Sequence, residues 1–174
     1  MTATLEREAR PRPDGELEGR LWDIVATVVD PEVPVLTIED LGVLRDVTIE
    51  HGSPVVRITP TYSGCPAVDA IRDDIVTALD RSGHPGARVD VVLAPAWTTD
   101  WMSEAGRGKL QEYGIAPPLP RSEARGPVGL GLGIRCPRCG SLHTRPISQF
   151  GSTSCKALYV CRHCQEPFDS FKAH

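Results

Sequence analysis

Two cysteine pairs, CPRCG at residues 136–140 and CRHC at residues 161–164, decide the fold of the C-terminal part of this 174-residue chain. Each pair places two thiols on one tight turn, and two such turns supply the four sulfur ligands typical of a structural zinc site. Gly140 gives the backbone the freedom to turn its amides toward sulfur. We therefore expect metal binding and folding of this segment to be a single event.

The segment between the cysteine pairs has room for two strands and a loop. Residues 142–147 and 156–160 are predicted strands, and residues 148–154 between them are rich in Ser, Thr and Gly. The pattern predicts a zinc ribbon over residues 134–174. A thioredoxin-like dithiol is the alternative, but it needs one pair that opens a helix after a strand, and neither pair has that context. The predicted zinc ligands are Cys136, Cys139, Cys161 and Cys164.

Composition and the N-terminal sequence indicate a cytoplasmic protein. Residues 1–15 mix Arg, Glu and Pro without an apolar stretch, which predicts a disordered tail and not a signal peptide. No segment has the apolar run that a membrane-spanning helix needs. Only Cys65 and Cys155 lie outside the predicted metal site, so nothing indicates a disulfide framework, and a reducing compartment fits.

Charge is divided unevenly along a chain whose net charge is −4. Residues 121–174 hold eight basic side chains against three acidic ones, whereas the first 120 residues hold eleven against twenty. Four thiolates around one zinc ion carry a net charge of about −2, which nearby arginines would offset. A docking face for an acidic partner is the alternative explanation. The arginines concerned are Arg135, Arg138, Arg145 and Arg162.

Hydrophobic periodicity predicts an α+β domain over residues 16–113. Apolar residues recur with helical spacing over residues 17–29, and the segment DPEVP at residues 30–34 ends this first helix. Alternating residues 47–50 and 56–59 around the turn HGSP predict a β-hairpin.

A second helix and a third strand complete the predicted order α-β-β-α-β, with a short helical appendage at residues 103–113. Both main helices are expected to pack on one face of a small sheet, which gives two layers. The predicted stripe of the second helix is Val68, Ile71, Ile75 and Leu79, and the third strand alternates at Val89, Val91 and Leu93.

Residues 114–133 (GIAPPLPRSEARGPVGLGLG) are predicted to be an interdomain linker, because they are rich in Pro and Gly and have no periodicity. The GLGLG within them is not a dinucleotide-binding fingerprint, since Ile134 stands where the last Gly would be required and no strand precedes it.

Cys65 lies in YSGCP, residues 62–66, directly before the second helix. The helix N-terminus favours thiolate, which predicts a depressed pKa and makes Cys65 a candidate soft-metal ligand that alkylates faster than Cys155. A small buried hydrophobe is the alternative. Cys155, on the ribbon loop, is interpreted as a spare thiol or a transient ligand during metal transfer.

Three carboxylates, Asp30, Glu32 and Asp40, could lie near Cys65 if the two helices pack side by side. Asp-Pro-Glu more commonly caps and breaks helices, and Asp40 could serve the same purpose. Cys65 has no recognisable His partner for covalent catalysis, and the chain lacks the Glu-x-x-His pairs of di-iron carboxylate sites. The sequence therefore predicts no enzyme activity of its own.

Trp97 and Trp101 follow the third strand and would share one face of a helical turn. They are predicted to cap the open end of the core, and a partner-docking patch is the alternative because aromatic side chains dominate interfaces.

Three motifs resemble the iron-sulfur assembly domain of cytosolic and bacterial cluster-targeting factors. They are DPEVP at residues 30–34, IEDLGVLR at residues 38–45 and GCP at residues 64–66. The fold that the resemblance implies is the α+β domain predicted above.

Further motifs narrow the resemblance to the family of D subunits of bacterial ring-1,2-phenylacetyl-CoA epoxidase complexes, from about residue 17 to the end. These motifs are PAWTTDW at residues 95–101, YGIAPP at residues 113–118, and EPFD at residues 166–169 in the ribbon. The resemblance implies an accessory role in aerobic phenylacetate catabolism, in which the chain matures or repairs an iron-sulfur or di-iron centre of partner subunits.

The implied partners are a di-iron oxygenase and a reductase with flavin and a [2Fe-2S] cluster. The implied transfer site for iron or a transient iron-sulfur cluster is Cys65, with Asp30, Glu32 and Asp40 shaping its loop. One thiol cannot hold a cluster, so a second protomer in a homodimer, a partner or a small thiol would have to complete the ligand shell.

Two other functions remain as alternatives. A scaffold subunit of the same complex would use the ribbon and the tryptophans for assembly and would tolerate loss of Cys65. A nucleic-acid-binding ribbon fits the basic C-terminal part, but the negative net charge and the lack of interleaved aromatic residues make nucleic acid a poor match.

Overall fold

The computed structural model describes residues 12–118 and 134–172. The chain divides into two compact units, the first ending at Ser103 and the second beginning at Glu104. The first unit has the predicted order α-β-β-α-β, which confirms the α+β fold. Its elements are α1 (Glu16–Val25), β1 (Leu44–Glu50), β2 (Ser53–Ile58), α2 (Ala67–Arg81) and β3 (Arg88–Val91), followed by a single 3₁₀ turn at Thr99–Trp101.

The sheet of the first unit has the order β1-β2-β3. The hairpin turns on His51 and Gly52, both at positive φ, as a two-residue connection between twisted strands requires. Ser53 and Pro54 already belong to β2, so the predicted turn was two residues too long. β3 lies parallel to β2, because α2 carries the chain across to the same end of the sheet.

The helices of the first unit bury one face each. α1 ends at Val25, earlier than its apolar pattern predicts, and the chain continues in tighter turns in which the Thr27 and Val28 amides donate to the carbonyls three residues before them. Val29 pairs with Thr37 in an isolated bridge and is 43% exposed. On α2, Ala67 is buried and Val68 is only half-buried. The buried helical side chains are Leu21, Trp22 and Val25 on α1, and Ile71, Ile75 and Leu79 on α2.

Exposure rises along the third strand, from 7% at Val89 to 39% at Val91 and 58% at Leu93. Ile58 pairs with Val91 at the end of the sheet, so Leu93 lies beyond the last paired residue. The predicted burial of this strand is therefore confirmed for Val89 only.

Both tryptophans after β3 are buried, which confirms that they close the core. The indole N–H of Trp97 donates to the Leu41 carbonyl at 2.9 Å, and the Arg45 guanidinium lies 3.6 Å from the centre of the Trp101 ring. Gly42, at φ +68°, passes so close that a Cβ there would lie 2.4 Å from the Trp101 carbonyl oxygen. Because both indole rings are buried, neither Trp97 nor Trp101 is available as a docking patch.

The second unit contains α3 (Glu104–Tyr113), β4 (Ile115–Ala116), β5 (Thr144–Ser148), β6 (Lys156–Cys161) and β7 (Pro167–Phe171). Its sheet has the order β4-β7-β6-β5, with β4 parallel to β7. The appended helix therefore groups with the ribbon, and the division falls after Ser103 and not after residue 113.

Parts of the predicted tail and linker lie outside the described residues, namely residues 1–11 and 119–133, the latter with the GLGLG segment. At the end of the predicted tail, Arg12 pairs with Asp23 at 2.6 Å on the surface. Inside the predicted linker, Ile115 and Ala116 are buried in β4. Within residues 12–118 and 134–172, no helix is long and apolar enough to cross a membrane.

We expect Gly42→Ala to destabilise the protein more than Gly52→Ala does. Both glycines have positive φ, which costs a non-glycine residue about 1–2 kcal/mol, but only Gly42 also faces the Trp101 backbone. Overpacking at Gly42 adds about 1–3 kcal/mol. Urea unfolding monitored by tryptophan fluorescence measures the difference, and equal midpoints for the two variants would contradict the close contact.

Candidate functional site

Four cysteine sulfurs converge in the second unit, one pair from the turn before β5 and one pair from the end of β6 and the turn after it. All four lie within 4.8 Å of one another. The Cys136 and Cys164 sulfurs are 3.8 Å apart, and those of Cys139 and Cys161 are 3.6 Å apart. A tetrahedron with metal–sulfur bonds of about 2.3 Å has edges of about 3.8 Å, so the cluster fits a tetrahedral metal ion.

Backbone groups fix both turns around the sulfurs. The Gly140 amide donates to the Cys136 carbonyl at 2.9 Å, and Gly140 has φ +73°. The His163 amide donates to the Cys161 sulfur at 3.4 Å. The Gly140 hydrogen bond fixes the first turn, and the His163 amide, which donates to sulfur, stabilises the thiolate form of Cys161.

The electrostatics of the cluster favour a cation at its centre. The amide of Cys164 and other donors lower the pKa of Cys161 to about 6. The amide of Glu166 acts to lower the pKa of Cys164, but desolvation and the neighbouring sulfurs outweigh it and raise that pKa to about 12. A bound cation would compensate the negative charge of all four sulfurs, so every cysteine could then be a thiolate.

Packing around the cluster includes residues that the sequence reasoning missed. Cys136 and Cys161 are fully buried with Ala116 of β4 and Phe168 of β7. Gln111 of α3 donates its side-chain amide to the Pro137 carbonyl at 2.9 Å. Since these contacts come from distant parts of the sequence, no local pattern signals them.

Cys65 lies half-buried in the first unit, on the turn that leads into α2. Its amide donates to the Tyr62 carbonyl at 3.2 Å, and its sulfur interacts with the Ala67 amide and the Thr61 side chain. Thr61 is 9% exposed and was not singled out from the sequence, where no motif signals it.

The predicted depression of the Cys65 pKa is wrong. Burial raises the pKa of this thiol above its usual value, and the charges of Asp30 and Glu32 raise it further. The Ala67 amide and Thr61 act in the opposite direction without outweighing these effects. The thiol at this helix N-terminus is therefore held mainly in its neutral form at pH 7.

The structure brings two of the three predicted carboxylates close enough to Cys65 to affect its ionisation, Asp30 and Glu32. Asp30 is 7% exposed, and its carboxylate accepts hydrogen bonds from the amides of Glu32 and Val33, each at 2.8 Å. DPEVP therefore forms a separate turn after α1 and does not end the helix, contrary to the prediction from the sequence, and both acidic groups of this turn act on the thiol.

The contacts of Asp40 match the alternative of turn formation and do not place it beside Cys65. Its carboxylate accepts from the Thr37 amide at 3.1 Å and from the Ser103 hydroxyl at 3.1 Å. It is not among the groups that shift the pKa of Cys65. Asp40 thus ties the loop before β1 to the end of the first unit.

Cys155 is 5% exposed, and its sulfur lies 3.0 Å from the Thr153 hydroxyl. Among the residues whose positions are described, it stands outside the four-sulfur cluster. This arrangement favours the interpretation of Cys155 as a spare thiol.

We expect the four-sulfur cluster to bind one zinc ion per chain, and Cys139→Ser to lose both the metal and the fold of the second unit. Acidification should release the metal, because protons compete for the thiolates. Zinc content by atomic spectroscopy and limited proteolysis measure these effects. Cys155→Ser is the matched control and should keep its zinc, and equal metal loss in both variants would make Cys155 a ligand.

We expect iodoacetamide to alkylate Cys65 more slowly in the folded protein than in urea, since the raised pKa leaves little thiolate at pH 7. Cys155 should react more slowly still, because it is buried. Glu32→Gln removes one negative charge beside the thiol and should speed the reaction by less than about tenfold. The control is Asp74→Asn on the exposed side of α2. Peptide mass spectrometry measures the alkylation of each cysteine. Faster alkylation of Cys65 in Asp74→Asn alone would contradict the position of Glu32 beside the thiol.

Two family models match the two parts of the chain. Residues 19–93 match "Iron-sulfur cluster assembly protein", and residues 121–172 match "PaaD zinc beta ribbon domain". These matches agree with the expected domain types.

Several relatives match about half of the chain. An "Fe-S protein maturation auxiliary factor" of Porphyromonas gingivalis is 36% identical over 47% of this chain and 78% of its own length. The crystal structure of a domain of unknown function, DUF59, from Bacillus anthracis is 30% identical and covers 52% of this chain and 88% of that chain, with a TM-score of 0.48.

A longer match spans both units. A protein of Escherichia coli (strain K12), named as the putative D subunit of 1,2-phenylacetyl-CoA epoxidase, is 50% identical over 87% of this chain and 90% of its own length. The chain therefore belongs to the PaaD family, which is indicated by both the zinc ribbon model and this putative D subunit.

Proposed function

We propose that this chain is an accessory protein of the phenylacetyl-CoA epoxidase system that matures or repairs an iron-sulfur or di-iron centre in a partner subunit. The observation that carries the proposal is the half-exposed Cys65 thiol beside Asp30 and Glu32, on a domain that matches the iron-sulfur cluster assembly family. The name of the E. coli relative supports the choice of system, and the names of the shorter relatives support the maturation role.

The chemistry of the Cys65 loop suits transient contact with iron better than storage. A thiol is a soft ligand for iron, and the two carboxylates add negative charge that attracts a cation. Binding of iron displaces the thiol proton, so the raised pKa opposes retention of the metal. One thiol leaves the coordination shell incomplete, and a partner or a second protomer supplies the remaining ligands.

In this proposal the chain is not an enzyme, and its second unit has a structural task. The ribbon holds zinc through Cys136, Cys139, Cys161 and Cys164, and the metal stabilises a unit with a small core. The cytoplasmic location, the homodimer and the choice between the di-iron oxygenase and the flavin/[2Fe-2S] reductase as partner stay predictions.

We expect cells that carry Cys65→Ala to make the epoxidase subunits in normal amounts, but with less iron or cluster and proportionally less activity. The reason is that the transferred metal loses its only sulfur ligand in the loop. Iron and acid-labile sulfide per purified oxygenase and per purified reductase are the measurements. Ser63→Ala changes an exposed residue of the same loop and is the matched control.

The scaffold alternative makes the opposite prediction. It leaves Cys65→Ala without effect, whereas Cys139→Ser reduces assembly of the complex without lowering the metal content of each partner. Normal metal and normal activity in Cys65→Ala would refute the maturation role.

A further inference from the structure

An exposed apolar group lies on the ribbon, outside the metal site and the Cys65 loop. Ile147 at the end of β5 is 49% exposed, and Phe150 in the following loop is 65% exposed. Arg145 on the same strand is exposed as well, and Lys172 reaches the Phe150 ring. We call these four residues, Arg145, Ile147, Phe150 and Lys172, the β5 patch.

The loop that presents Phe150 is held in place. The Phe150 amide donates to the Ser148 hydroxyl at 3.1 Å. The Lys172 ammonium lies 4.1 Å from the centre of the Phe150 ring and donates to the Ser154 carbonyl at 2.9 Å. Gly151 is packed so closely that a Cβ there would lie 2.5 Å from an Asp169 carboxylate oxygen. An exposed aromatic side chain that is already ordered loses little entropy on binding, which is the usual property of an interface anchor.

The backbone of β5 is poorly suited to adding another strand. β5 is the last strand of its sheet, but Pro146 has no amide to donate, and the register with β6 shifts between Pro146 and Ser148. A partner on this side is therefore bound through side chains.

The charge of the second unit favours an acidic partner. Residues 134–172 hold six basic and two acidic side chains, which leaves an excess of positive charge even with a metal tetrathiolate of about −2. In the first unit, exposed arginines such as Arg20 and Arg88 face carboxylates at 2.7 and 3.1 Å. Arg145 and Arg162 make no ion pair within the described residues, so their charge is open to a partner.

A nucleic acid fits the patch less well than a protein does. Base stacking needs several exposed aromatic rings along a basic groove. Among the described aromatic residues of the ribbon, Phe168 and Phe171 are buried, and Tyr159 stacks on Phe168 at 5.9 Å. Phe150 is therefore a single exposed ring with an ammonium group on its face, three residues after the exposed Ile147, and this combination of apolar and charged side chains suits a protein interface better than base stacking.

We propose that the β5 patch docks an acidic protein segment, whose apolar side chain covers Ile147 and Phe150 while its carboxylates pair with Arg145 and Lys172. The identity of the partner rests on the proposed function, because the acidic segment is expected on a subunit of the epoxidase system. The docking itself is independent of Cys65, which lies in the other unit.

The test measures binding of the full-length protein to the separately purified oxygenase and reductase subunits, by biolayer interferometry at low and high salt. Phe150→Ala and Arg145→Glu should each raise the Kd for one subunit at least about tenfold. Arg145→Glu should also flatten the salt dependence. Leu93→Ala and Arg72→Glu, exposed positions of the first unit, are the matched controls and should change the Kd less than about twofold. Zinc content verifies that the ribbon variants are folded.

Each other outcome overturns the docking proposal. These outcomes are a wild-type protein that binds neither subunit, an unchanged Kd in Phe150→Ala, competition by single-stranded RNA, or a wild-type dimer that Phe150→Ala dissociates. Cys65→Ser should bind with the wild-type Kd. If Cys65→Ser also leaves the iron content of the partners normal, the maturation role fails while the docking surface stands.

Discussion

The fold of the second unit holds four sulfur atoms within 4.8 Å of one another, although as thiolates they would repel one another. Its buried cluster is small, with Ala116, Cys136, Cys161 and Phe168 at its centre, and so small a core rarely stabilises a fold alone. A cation bound among the sulfurs would convert this repulsion into attraction and would tie the turn before β5 to the turn after β6.

The first unit is stabilised in a different way, by a larger apolar core and specific polar contacts at its edges. Trp101 illustrates this, because it fills the core, accepts the Arg45 guanidinium on its face and leaves no room for a side chain at Gly42. Asp30 organises a turn through two amide hydrogen bonds and still acts on Cys65. Asp30 thus combines a structural role in its own turn with an electrostatic effect on the thiol before α2.

Local chemistry explains what could be predicted from the sequence. The convergence of the four ribbon cysteines was predicted correctly, because each CxxC forms a local turn and two such turns are expected to face one another around a metal ion. The buried stripe of α2 at Ile71, Ile75 and Leu79 was also predicted correctly from its helical spacing.

The errors arose where distant segments meet. The helix-end argument for Cys65 was correct in direction, but burial and the carboxylates of a loop some thirty residues away outweighed it. The burial of Trp22 and the third ribbon strand, β7, also depend on contacts that no short window contains. Asp40 was expected near Cys65, but its carboxylate accepts a hydrogen bond from Ser103, which is far from it in sequence.

The parallel pairing of Ile115 and Ala116 with Asp169 and Ser170 changes where the second unit begins. Ala116 and Ile134, which are described on either side of residues 119–133, both belong to that unit and pack in the same buried cluster. The chain passes between the units once, at Ser103. A fragment that began at Ile134 would therefore lack β4 and the Ala116 contact with the buried sulfurs, so an excised second unit keeps its complete sheet only if the cut is made near Ser103.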